Sequence, residues 1–285
     1  GDLTKKAAIA SVSMALFLLA LKIFAAAETG SVALLGSLAD TAFDVLASLL
    51  TLFSVRYAAM PADDDHRFGH GKAEALSALL QVILVTVSAI LIAWRAIVRF
   101  GDQAPTDHPE YGIGVSIIAI ITTLGLLAYQ RYVVLKTGSV AIQADHVHYQ
   151  SDLLLNIAVI IAILLDTMLN VRGADPLFGL AIAAWLLWGA YRAAGLALDQ
   201  LLDREWPQEK RQRFIEVALR HPELRGIHDM RTRSSGVHDF GQFHVWVDPN
   251  MTVEAAHQIM DEVEQALMDE FPGVEVLIQP DPEGH

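Results

Sequence analysis

Residues 37–48 read SLADTAFDVLAS, and this stretch decides how the rest is read. Asp40 and Asp44 stand four residues apart inside a long apolar segment. On a helix, residues four apart share one face, so both carboxylates point the same way. A charged side chain at the centre of a bilayer costs at least ~2.5–3.5 kcal/mol, and by default it marks a function. About a hundred residues on, HYQSD (148–152) repeats the spacing with His148 and Asp152, again in an apolar run. Two helices, each presenting two ligand side chains, could meet around one divalent cation.

The surrounding composition fits a membrane setting. The chain has 285 residues, of which 53% are hydrophobic, too apolar for an ordinary soluble domain of this length. Six apolar runs, near 7–27, 30–56, 74–98, 111–134, 140–168 and 176–201, are long enough to cross the hydrocarbon core, which needs about 20 residues. The first is too long for a cleavable signal peptide and reads as a spanning helix. Residues 1–206 are therefore expected to form a six-helix transmembrane domain. Hydropathy falls after residue 204, and 207–285 is expected to be a small cytoplasmic α+β domain in the order αββαβ. Its elements are the amphipathic QEKRQRFIEVALR (208–220), the strands MRTRSSG and DFGQFHVWVD, a helix capped by Thr252 and running to about Glu270, and the closing strand PGVEVLIQPDP.

Loop charge sets the orientation. Lys5, Lys6, Arg56, Arg67, Lys72, Arg131, Lys136 and Arg204 collect on one side, and chiefly Arg99 and Arg172 on the other. Both termini and the 57–73 loop should thus be cytoplasmic. The second span then runs outside to inside, with its carboxylate pair roughly 18 Å from its outer end. The fifth runs the other way, with its His/Asp pair roughly 15 Å from its inner end. Both pairs fall near mid-membrane.

The net charge of −13 and the lack of a basic face exclude an ordinary nucleic-acid partner. With no cysteine, any metal site must use His, Asp and Glu. One nitrogen and three oxygens from Asp40, Asp44, His148 and Asp152 suit tetrahedral zinc, and also admit iron(II), cadmium, cobalt or manganese. The plain alternative is a set of packing groups satisfied by Ser37, Thr41, Ser48, Gln143 or Asn156. Metal ligands must lose their protons to bind, so metal and protons should displace one another at such a site. An inward proton gradient could then drive metal outward, provided that the site faces the two sides in turn.

Two further clusters stand out. In PADDDHRFGHGKAE (61–74), Asp63, His66 and His70 have metal-like spacing, although Gly69 and Gly71 argue against one rigid helix. The alternative is a solvated charged loop. In the tail, His228, His244, His257 and Asp281 come from separate elements, and the spacing alone leaves open whether they meet. His221, His238 and His285 read as surface residues. Lys72 and Asp203 bracket the membrane boundary and could pair across a helix end or a subunit interface.

With these residues in view, the chain resembles the cation diffusion facilitators, and among them the bacterial zinc/iron efflux antiporters of the YiiP type. The likeness rests on the six spans, the DxxxD and HxxxD pairs, the PADDDHRFGHGKAE loop and the tail motif GIHDMRTRSSG. It implies a homodimer in the inner membrane, with metallochaperone-like cytoplasmic domains packed together, and zinc/proton exchange by alternating access. It carries a transport site onto Asp40, Asp44, His148 and Asp152, a loop site onto Asp63, His66 and His70, and a tail site onto His228, His244, His257 and Asp281. One departure is Gln279, where such proteins often have a further histidine. An amide oxygen is a poor zinc ligand beside imidazole, so a single firm tail metal is expected, on His228, His244 and Asp281. Against an intramembrane zinc hydrolase, no HExxH and no separate general base appears. A metal-sensing receptor is the remaining alternative.

Overall fold

The computed structural model describes residues 2–29, 32–99, 110–169, 174–236 and 238–283. The side chains of Asp40, Arg99 and Asp166 fall outside the described part, as do Arg172 and His285 altogether. The chain forms six long helices, α1 (Asp2–Thr29), α2 (Val32–Ala58), α3 (Ala73–Arg99), α4 (Glu110–Thr137), α5 (Val140–Leu169) and α6 (Ala174–Leu201). There follow α7 (Gln208–Ala218), β1 (Ile227–Ser235), β2 (His238–Val247), α8 (Val253–Glu270) and β3 (Val274–Pro282). Contacts divide the chain into two compact units, residues 1–60 with 73–198, and residues 61–72 with 199–285.

Among the described residues of the first unit, five helices (α1, α2, α3, α4 and α6) are long and apolar enough to cross a membrane. The remaining expected span, α5, is a 30-residue helix whose first half carries Asp145, His146, His148 and Asp152. Size sorting shows what surrounds the unit. Small residues such as Ala7, Ala8, Ala47, Ala75, Ala89, Ala141 and Ala183 are buried, while Leu16, Phe24, Phe53, Trp94, Ile121 and Trp188 are exposed. That is the reverse of a water-soluble bundle and the pattern expected where helices pack closely within lipid. On α6, a Cβ added to Gly179 would sit 3.1 Å from Ala96 Cβ, and one added to Gly189 would sit 3.2 Å from Val147 Cγ1. These glycines let α6 approach α3 and α5.

Helices α1 and α2 pack together, α4 packs on α1 and α5, and α5 touches α2 and α3. Only Gly138 and Ser139 separate α4 from α5. Gly138 takes the left-handed φ of 65° and its N–H bonds Val134 O at 2.8 Å, ending α4 as a glycine cap does. The hydroxyl of Ser139 accepts the Ile142 N–H at 3.4 Å and donates to the buried carboxylate of Glu74, at the start of α3.

The second unit has a three-stranded sheet in the order β1-β2-β3. β1 and β2 are antiparallel; β2 and β3 are parallel, with α8 as the crossover. Alternate residues Phe243, Val245 and Val247 of β2 face the core. They meet Phe214 and Val217 of α7 and the Ala256, Met260, Val263, Leu267 stripe of α8. The hydroxyl of Thr252 accepts the Ala255 N–H at 3.2 Å and caps α8. Trp206 belongs to the same core.

The loop 61–72 also belongs to this second unit. Phe68 meets Phe240 edge-on at 5.7 Å, and the Arg233 guanidinium lies 4.2 Å from the Phe68 ring centre and 4.9 Å from that of Phe240. Gly71 lies against β1 so closely that a Cβ there would come 2.1 Å from Ser235 O. Lys72 Nζ donates to Leu201 O at 3.2 Å and pairs with Asp203 at 3.0 Å. Arg233 is 3.7 Å from the same carboxylate.

Candidate metal centres

Because α2 and α5 touch, the two intramembrane motifs meet. His148 Nε2 lies 3.1 Å from Asp44 Oδ1 and 3.9 Å from Asp152 Oδ2. One ligand atom from each of Asp44, His148 and Asp152 falls within 4.8 Å of the others. Asp40 sits on α2 one turn before Asp44, but its side chain is outside the described part. Nearby hydroxyls are engaged elsewhere. Lys22 donates to Thr41 Oγ1 at 2.6 Å, and Ser48 Oγ lies 2.6 Å from Tyr149 Oη. The amide of Asn156 donates to its own helix at Asp152 O, 2.7 Å away, rather than to a carboxylate of the site. Tyr149, next to His148, also donates to Ser11 O at 3.2 Å and so ties α5 to α1 and α2. The site is thus a carboxylate–imidazole–carboxylate cluster held by two facing helices.

The loop cluster forms around one carboxylate. Asp63 Oδ1 accepts the Asp65 N–H at 3.1 Å and the His66 N–H at 2.6 Å, folding the loop back on itself. His66 Nδ1 is then 3.2 Å from Asp63 Oδ1, and His70 Nε2 is 3.4 Å from Asp63 Oδ2. The two rings are 4.4 Å apart. Gly69, at a φ of 73°, makes the turn that a continuous helix could not. The His66 backbone N–H, then its ring, hold the Asp63 carboxyl below the usual range.

In the tail, β1–β2 register places His228 opposite His244, and β3 brings Asp281 alongside Trp246. Asp281 Oδ2 lies 2.8 Å from His244 Nδ1 and 3.1 Å from His228 Nε2. The His228 ring stacks on Trp246 with centres 4.0 Å apart, which fixes its plane. His244 first, then Gln279 and His228, depress the Asp281 pKa by hydrogen bonding. The structure adds Asp229, whose carboxylate joins His228 and His244 within ligand range. Asp229 sits at a φ of 47° in the β-bulge between His228 and Arg231, where the ladder slips. Strict alternation would send consecutive residues to opposite faces, so sequence spacing alone did not single it out. His257 is not gathered here. It is 76% exposed on α8 and pairs with Asp261 at 3.5 Å. His221 pairs with Glu262 at 3.1 Å.

Groups that could hold a metal ion cluster inside a bundle of long apolar helices, an arrangement suited to moving a metal cation across a membrane. The comparisons name the family. Residues 8–202 match the cation efflux transmembrane domain, and residues 206–283 match the cation efflux protein cytoplasmic domain. The cation-efflux pump FieF of Salmonella arizonae is 44% identical over 282 residues, covering 99% of this chain and 94% of that protein. That of Cronobacter sakazakii is 43% identical over the same length. A solved chain of CzrB is 34% identical, covering 28% of this chain and 99% of its own, with a TM-score of 0.27. The chain belongs to the cation efflux family, the cation diffusion facilitators. It is a multi-pass membrane transporter of divalent metal cations, not an enzyme.

Proposed function

We propose that this transporter exports zinc in exchange for protons, by alternating access, through a site made of Asp40, Asp44, His148 and Asp152. The observation that carries the reading is the convergence of Asp44, His148 and Asp152 from two helices onto one point. The donor set favours zinc and also accommodates iron(II), cadmium and manganese. Each ligand can carry a proton when the metal leaves, which links the two fluxes. The chain works as a homodimer in the bacterial inner membrane, with six spans over residues 1–206. Both termini and the metal-binding, dimerising domain at 207–285 are cytoplasmic. Asp63, His66 and His70 form a loop metal site. His228, His244 and Asp281 form the tail site, and His257, the fourth expected tail ligand, lies apart within the single chain. Metal in the tail draws the two cytoplasmic domains together and biases the membrane halves toward one state.

The test is zinc flux in sealed proteoliposomes under an imposed pH gradient. Zinc should move against the proton gradient, and Asp44→Ala or His148→Ala should abolish movement while leaving the protein folded. Flux that ignores the pH gradient sinks the exchange reading. Flux that survives both substitutions sinks the site.

A further inference from the structure

One ionisable group in the bundle has no part in the sites above. Asp145 lies on α5 three residues before His148, and it is 0% exposed. Four helices close over it with neutral side chains. Gln130 of α4 donates Nε2 to Asp145 Oδ2 at 2.8 Å, and the same amide reaches Ser11 Oγ of α1 at 3.0 Å. Thr51 of α2 donates to Asp145 Oδ1 at 3.5 Å. Gln81 of α3 donates to Thr51 Oγ1 in turn. Ser11, Thr51, Gln81 and Gln130 are themselves buried. Among the described residues no Lys or Arg hydrogen-bonds this carboxyl. Among the described residues, the buried amide oxygens Gln81 Oε1 and Gln130 Oε1 accept no hydrogen bond.

A carboxylate closed in by neutral side chains is costly, and adding its proton removes that cost. The neighbouring charges decide when the proton leaves. Titratable or charged groups on the packed helices include His146, His148, Tyr149 and Asp152 on α5, Asp44 and Arg56 on α2, Glu74 and Arg95 on α3, Arg131 and Lys136 on α4, and Lys5, Lys6 and Lys22 on α1. His148 and Asp44, two of the three residues that converge at the metal position, lie on α5 itself and on α2, which packs against it. On a helix, residues three apart have Cβ atoms about 5–6 Å from each other. A divalent cation on His148 is then the nearest large positive charge to Asp145, and it favours the carboxylate.

We infer that Asp145 is a proton-binding site of the transport cycle. Its carboxyl holds a proton while the neighbouring metal position is empty and releases it when a divalent cation binds. The O–H bond breaks, the proton passes to water on the side to which the site is open, and Ser11, Thr51 and Gln130 hold the carboxylate left behind. One positive charge leaves as two arrive, in addition to any protons shed by the ligands. This rests on the reading of Asp44, His148 and Asp152 as the transported-metal site.

The experiment counts protons released per zinc bound by the full-length protein in detergent, by calorimetry in buffers of different ionisation enthalpy across pH 5.5–8. The zinc equivalent lost in His148→Ala identifies the membrane site. Asp145→Asn should keep that equivalent and release up to one proton fewer per zinc, and Asp145→Glu should restore the count. An unchanged count in Asp145→Asn overturns the inference. A His148→Ala protein that binds as much zinc as wild type overturns the site reading instead, and this inference with it. If Asp145→Asn fails to fold, zinc-induced infrared difference spectra decide. A protonated-carboxyl C=O band lost on zinc binding should shift in Gln130→Leu, which removes the amide bonded to Asp145. If no zinc-sensitive band responds to Gln130→Leu, the inference is wrong.

Discussion

Replacing Gly71 with alanine should detach the 61–72 loop from β1. The new Cβ would lie 2.1 Å from Ser235 O, and real Cβ atoms essentially never come within 3.0 Å of a heavy atom. Backbone cannot rotate away as a side-chain tip can, so the loop must retreat by roughly 1 Å, with an overpacking penalty of about 1–3 kcal/mol. A shift of that size also breaks what lies on either side. Lys72, the next residue, loses its 3.0 Å pair with Asp203 and its 3.2 Å bond to Leu201 O. Phe68 withdraws from Phe240 and from the Arg233 guanidinium. Those aromatic and cation–π contacts contribute together about 1–2 kcal/mol at partly exposed positions. His70, immediately before, is drawn off its 3.4 Å approach to Asp63, so zinc affinity at the loop cluster should fall about tenfold or more. The assay is zinc titration of the full-length protein carrying His148→Ala, with and without Gly71→Ala, alongside thermal unfolding. Gly69→Ala is the control. It must hold a φ of 73° and costs about 1–2 kcal/mol, yet nothing lies within 4 Å of its Cβ. Loop-site affinity and unfolding temperature both unchanged in Gly71→Ala would refute the docking described here.

Three further outcomes are expected. Phe214→Ala empties the centre of the tail core, where the ring meets Trp206, Phe243 and Phe271, and should destabilise that domain by about 3–5 kcal/mol in urea unfolding. Asp281 has a depressed pKa when folded, so its contribution to stability is fully present above its ordinary value near 3.8 and is lost as pH falls through the lower folded value. An acid unfolding series should show that dependence in wild type and lose it in Asp281→Asn. Gln279 stands opposite His244 in the ladder. Gln279→His should therefore raise tail zinc from one tight equivalent per chain to two, which zinc titration with the membrane and loop sites disabled would count.

Much of this was legible in the sequence because it depended on local period. His148 and Asp152 share one face of α5 because they stand four residues apart, since spacing sets the face and burial makes the face matter. The αββαβ order of the tail follows from alternation and capping in the same way. What spacing cannot encode is which distant faces meet. Phe68, Arg233 and Phe240 form one contact across 172 residues of chain, and no local pattern announces it. Asp145 sits in the same stretch as His148, but only the packing of Ser11, Thr51 and Gln130 distinguishes a caged acid from one turned to water. Asp229 is legible only through the bulge beside it. His257 lies on an exposed face of α8, where it pairs with Asp261.

The corner at Gly138 and Ser139 has a mechanical consequence. Two residues cannot act as a hinge with slack, and Glu74 hooks the same corner to the start of α3. A movement of α5 about this corner would be a pivot rather than a slide. His148 lies nine residues beyond Ser139, a lever arm of roughly 13 Å along the helix. A tilt of about 10° at the corner swings it by roughly 2 Å at that 1.5 Å rise per residue. Against a 3.1 Å separation from Asp44, that swing is enough to loosen a grip on an ion. Strokes this small need no unfolding and no rearranged core, only a rigid arm turning on a short fulcrum.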